Sequence, residues 1–108
     1  MQQAQAEIIQ QSQQKYLISG VVDFLTAADL IKRATVFFKS GKKSIAETIK
    51  VDLSQITDCN SAGLSLMLEM SKQAQSNNLK LQFENLPDTL LTIAKAYGVE
   101  GEIQGLCQ

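Results

Sequence analysis

The chain has no histidine, no tryptophan, one proline and two cysteines in 108 residues. Without histidine the commonest general base is gone, and with it the Ser-His and Cys-His nucleophile pairs and most zinc sites. Cys59 and Cys107 lie far apart and form no Cys-x-x-Cys pair. A single disulfide between them can be drawn, but a chain of this size does not need one, and a reducing compartment is the simpler expectation. Long apolar runs are also missing. The longest stretch without a charge, Cys59 to Leu68, is ten residues, too short to cross a bilayer. The 10 basic and 11 acidic side chains nearly cancel, so no global field draws the chain toward nucleic acid. The opening residues Met1-Gln2-Gln3-Ala4-Gln5-Ala6-Glu7 carry neither the basic region nor the apolar core of a secretory signal. The expectation is a cytoplasmic protein without cofactor, metal or catalytic chemistry.

What the chain does have is enough apolar material, 44%, for one ordinary core and one domain over residues 1–108. Seven glutamines crowd the first fourteen residues, yet Ala4, Ala6 and Ile8 alternate with polar neighbours, which predicts an edge strand over 4–10. Tyr16 to Val22 reads as a second strand. Thr26 then caps a helix with Ala27, Leu30, Ile31, Ala34 and Phe38 on one face and Gly41 past its end. Ile49, Val51 and Leu53 mark a short strand, followed by a polar turn from Ser54 to Asn60. Leu64, Met67, Leu68, Ser71 and Ala74 form the buried stripe of a second helix, ended by Asn77-Asn78. Leu79, Leu81 and Phe83 make a fourth strand. Pro87 opens a last helix with Leu90, Ile93, Ala94 and Tyr97 inside and Gly98 as its stop. Strand, helix, strand from Thr48 to Phe83 predicts parallel pairing through a right-handed crossover.

Four constellations carry chemical content. Gly41-Lys42-Lys43-Ser44 is no phosphate loop, because Val36 stands where the first glycine belongs and Lys43 where a hydroxyl should follow the lysine. Lys32, Arg33, Lys39, Lys42 and Lys43 form a basic cluster. It serves either as solvated charge near a helix C-terminus or as a docking surface for an acidic partner or lipid headgroups. Asp52 and Asp58 flank the polar turn, but two acids without a third ligand make no metal site. The sharpest is Val51-Asp52-Leu53-Ser54 followed by Asp58-Cys59-Asn60-Ser61-Ala62-Gly63-Leu64. Here Ser61 stands at a helix start, where unpaired N–H groups favour an anion. Ala62 and Gly63 would leave that start uncovered for another protein's backbone. The same residues also suit an ordinary serine cap with close packing behind it.

This stretch resembles the signature of the STAS domain, the family of sulphate transporters and anti-sigma-factor antagonists. In that family a strand reading Val-Asp-Leu-Ser leads into Asp-Ser/Thr-Ser/Gly-Gly-Leu at a helix start. Asn60 takes the place of the usual Asp, and Ser61 holds the switch position. The resemblance covers nearly the whole chain. It implies one α/β STAS domain, with a mixed four-stranded sheet ordered β-β-α-β-α-β-α and helices mainly on one face. Two branches fit. One is the stand-alone anti-sigma-factor antagonist, which docks on a serine kinase that phosphorylates it, here at Ser61. The other is the MlaB-type subunit, which binds the ATPase subunit of an ABC phospholipid transporter, peripheral to the inner membrane, and so supports outer-membrane lipid asymmetry. The run Leu86 to Val99 resembles the MlaB-type ending, and Asn60 speaks modestly against an acidic kinase-recognition turn, so the second branch is preferred. The implied partner-binding surface is Asn60, Ser61, Ala62 and Gly63 with Ser65, Glu69 and Lys72 on the following helix.

Overall fold

The computed structural model describes residues 6–40 and 47–107. Ala4 of the expected edge strand, the Gly41-Lys42-Lys43-Ser44 stretch, and with it the Lys42-Lys43 end of the basic cluster, lie outside them. The elements are β1 (Ala6–Ser12), β2 (Lys15–Val22), α1 (Phe24–Ser40), β3 (Glu47–Cys59), α2 (Ala62–Gln75), β4 (Leu79–Glu84), α3 (Asp88–Ala96) and α4 (Glu100–Gly105). The strands lie in the order β1-β2-β3-β4. The first pair is antiparallel and the other two are parallel. Parallel neighbours need crossovers, and two right-handed crossovers stepping the same way put both helices on one face. That face is the apolar one: Ile8 on β1, Tyr16 and Ile18 on β2, Ile49 and Val51 on β3, and Leu81 and Phe83 on β4 are all buried. The mixed α/β architecture expected from the sequence is what is seen.

The core fills the space between this face and the helices. Leu30, Ala34 and Phe38 from α1 meet Met67, Met70 and Ala74 from α2 there. The Tyr16 ring packs on Phe37 and Phe38, with centroids 5.3 and 6.1 Å away, and burial raises its phenol pKa.

Four local expectations need correction. Asp23, not Thr26, caps α1. Its Oδ1 accepts from the N–H groups of Leu25 and Thr26, both at 2.9 Å. Thr26 lies inside the first turn, where its Oγ1 accepts from Asp23 N–H at 2.9 Å and donates to the Val21 carbonyl at 2.8 Å. The two residues form a reciprocal box with acid and hydroxyl exchanged. Secondly, Ser54 to Cys59 is not a turn but the second half of β3. Between Leu17 and Ser19 the β3 partner advances from Asp52 to Gln55, and between Gly20 and Val21 from Ile56 to Asp58. Each step adds one residue to β3, as a bulge does. The buried positions after Leu53 therefore break the two-residue period. Gly20, at φ 95°, takes the left-handed backbone opposite the second step, which a Cβ would penalise.

Thirdly, Leu68 is 45% exposed; the inner stripe of α2 runs through Gly63, Leu66, Met67, Met70 and Ala74 instead. Fourthly, Tyr97 is 65% exposed, not interior. It is the C-cap of α3, after which Gly98 at φ 73° reverses the chain. The N–H groups of Gly98 and Val99 close back on the carbonyls of Lys95 and Ala94, the Schellman arrangement. The chain then adds α4, which sequence pattern does not signal, and its Ile103 is fully buried.

Asp52 ties β3 to the bend after β4: its Oδ1 accepts from Ser54 N–H at 2.8 Å and from Asn85 Nδ2 at 3.1 Å. Burial pushes its carboxyl pKa up. The hydrogen bonds from Asn85 and Ser54 and the Lys15 charge outweigh that and hold it below its ordinary value. A depressed folded-state pKa contributes stability above the unfolded value, and the contribution disappears as pH falls through the folded one. In urea titrations the wild type should therefore exceed Asp52→Asn in stability at pH 7, with the gap closing as pH falls below the ordinary carboxylate range. A constant gap from pH 7 to pH 2 would show that the carboxylate charge contributes nothing.

Candidate functional site

The end of β3 and the start of α2 are held against the end of β2. Val22 pairs with Cys59, and the Asn60 N–H donates to the Val22 carbonyl at 3.2 Å. The chain then turns directly into helix. Asn60 does the capping: its Oδ1 accepts from Ala62 N–H at 2.8 Å, and its carbonyl accepts from Gly63 N–H at 2.9 Å. Ser61 already has helical backbone angles, φ −61° and ψ −16°, and its side chain makes no capping hydrogen bond. The expected serine cap is thus an asparagine cap, because the helix begins one residue earlier than its hydroxyl suggested. Ser61 is half-buried at the helix start, beside the positive end of the α2 dipole.

Ala62 and Gly63 are both buried, so they do not leave the helix start uncovered. Their smallness serves the inside. A Cβ built on Gly63 would stand 2.9 Å from Leu90 Cδ1 and 3.9 Å from Cys59 Cβ. Leu90 of α3 is itself 1% exposed, so the close approach of α3 to α2 depends on the missing side chain.

Ser65 and Lys72 are exposed and Glu69 half-buried. Spaced three and four residues apart, they continue from Ser61 as one stripe along α2, with Leu68 beside it. Glu69 accepts from Gln73 Nε2 at 2.8 Å. Sequence reasoning missed the neighbouring corner between β2 and α1, where Phe24 is 66% and Leu25 85% exposed. The signal was available, since two large apolar residues directly after a capping Asp fall on the outer side of the first turn. Of the other candidates, Asp58 is an exposed strand residue paired with Val21. Arg33 is engaged by Asp29 at 3.0 Å. Among the described residues no cluster of acids and cysteines could hold a metal ion, and no helix is long and apolar enough to cross a membrane. Both thiols are free. Burial raises the pKa of Cys59, with Asp58 adding to it, and burial raises that of Cys107, which disfavours a thiolate nucleophile.

The chain thus presents a one-sided α/β layer with a capped helix start and an outward stripe on α2. Residues 9–107 match the family described as "Mlab, STAS domain", and the chain belongs to that family. Among solved structures, the anti-sigma factor antagonist SpoIIAA in its unphosphorylated form superposes with a TM-score of 0.66 at 13% identity, covering 90% of this chain and 84% of that one. A structure described as Mglu gives a TM-score of 0.54 at 13% identity, covering 74% of this chain and 19% of that one. At this identity both show the fold alone. No curated protein matches.

Two substitution experiments test the local geometry. Asn60→Ala removes the cap and should cost about 1 kcal/mol in chemical denaturation, whereas Ser61→Ala should cost only a few tenths. The reverse ranking would return the cap to Ser61. Gly63→Ala should be destabilising in the wild-type background by about 1 kcal/mol, as overpacking against Leu90 outweighs the better helix propensity. In a Leu90→Ala background the same change should become neutral or stabilising. Equal effects in both backgrounds would dissolve the proposed contact.

Proposed function

We propose that this chain is a regulatory binding subunit that docks on the ATPase subunit of an ABC transporter for phospholipid, and supports that ATPase's assembly and activity. The match of residues 9–107 to the MlaB-type family carries this reading. Nucleotide and magnesium would belong to the partner, and the chain would sit at the cytoplasmic face of the inner membrane through that partner. The contact surface is Asn60 and Ser61 with the α2 stripe of Ser65, Glu69 and Lys72, extended by Phe24 and Leu25. Ala62 and Gly63 support it from beneath. An apolar pair flanked by a hydroxyl and charges has the make-up of an interface centre with a polar rim.

A second reading, an antagonist of an anti-sigma factor switched by phosphorylation, is favoured by the Ser61 side chain, which takes no part in capping, and by the fold it shares with SpoIIAA. A phosphate there would bring about two negative charges to a helix N-terminus, which stabilises them locally while opposing any acidic group across an interface.

Native purification separates the two. An ABC subunit co-purifies with its ATPase under all growth conditions and carries no added phosphate by intact mass. A signalling antagonist shows a phosphorylated fraction at Ser61 that changes with growth phase. Against the purified ATPase, Leu25→Asp should weaken binding at least about tenfold without lowering the melting temperature. Full affinity in that variant would remove the β2–α1 corner from the interface.

A further inference from the structure

At the opposite end of α2 from Ser61, a groove of about 530 Å³ opens between α2, β4 and the turn after α4. Its volume is that of a small-ligand site. Leu68, Leu81 and Leu106 supply apolar walls, and Lys72 and Lys80 bring two cations with no carboxylate among the lining residues. Ser71 also lines it, and its Oγ is hidden from solvent without a hydrogen-bond partner. A helical serine ordinarily turns its hydroxyl back to the carbonyl four residues earlier. This one does not, and because its Oγ is closed to the groove as well as to solvent, it takes no part in holding a ligand.

We propose that this groove binds a single anionic amphiphile, a short unbranched alkyl chain ending in a carboxylate or phosphate monoester. The chain lies along Leu68, Leu81 and Leu106, and the head group meets Lys72 and Lys80 at the mouth of the groove. The pairing of apolar walls with cations of one sign selects the class: a neutral alkane would leave the lysines unanswered, and a cationic amphiphile would be repelled. Lys72 belongs also to the proposed partner surface, so the two occupants would meet at that residue.

Octanoate and octyl phosphate, monomeric at millimolar concentration, are the probes, with octyltrimethylammonium as the opposite-charge control. Titration of the isotope-labelled full chain, followed by NMR, should show saturable binding of at least one anion with Kd below about 1 mM. The shifts should centre on Leu68, Leu81 and Leu106. Lys80→Glu should weaken that binding at least about threefold, with a melting temperature within a few degrees of wild type. The proposal is overturned by absence of saturation, by equal binding of the cation, or by shifts centred elsewhere. It is equally overturned if anionic phosphatidylglycerol vesicles bind the chain while neither soluble anion does.

Discussion

The position at which β3 stops governs the rest of the molecule. β4 accompanies this strand only from Glu47 to Asp52, whereas β2 accompanies it to Cys59 at the cost of two register steps. The added length carries the chain beyond β4 and delivers Asn60 to the Val22 carbonyl, so α2 begins beside the end of β2 and the start of α1. A β3 that stopped where its pairing with β4 stops, at Asp52, would start α2 over the middle of the sheet. Ser61 would then be far from Phe24 and Leu25.

How much of this could be read in the sequence depended on whether one rule acted alone. β4 was legible because Leu79, Leu81 and Phe83 keep a strict two-residue period and nothing interrupts it. The second half of β3 was not, since bulges space Leu53, Ile56 and Cys59 by threes in a polar stretch that looks like a turn. Helix caps were found to within a few residues but given to the wrong side chain twice, at Thr26 for Asp23 and at Ser61 for Asn60. In each case two capping residues stood close together, and only backbone angles decide between them. The α2 stripe of Ser61, Ser65, Glu69 and Lys72 followed from helical spacing. The smallness of Ala62 and Gly63 did not tell which side needed it, because Leu90 lies across the fold and 27 residues on. With six residues, α4 is too short to show a period of its own.

Both functional readings rest on one division of labour at the α2 start. Asn60 satisfies the backbone that a cap must satisfy, which leaves the Ser61 hydroxyl outside the stabilising network. Such a group can be modified or occupied by a partner without the helix paying for it. Had Ser61 been the cap, a phosphate would have removed the helix's own acceptor in the act of signalling. Stability and recognition are therefore assigned to adjacent residues, and evolution can change one with little effect on the other.

The Leu106 carbonyl accepts from the Phe83 N–H at 2.9 Å. β4 is a border strand of the sheet, and an open border of that kind invites pairing with other chains. The turn after α4 blocks it part of the way along, so the last residues act as a guard against sheet-to-sheet aggregation as well as a source of core through Ile103. The other border, β1, carries one charge, Glu7, beside exposed Ile9, Gln10 and Gln11. Loss of the segment after Gly98 would therefore threaten solubility before it threatened recognition, because the surface around Ser61 lies at the far end of the sheet from the uncovered border.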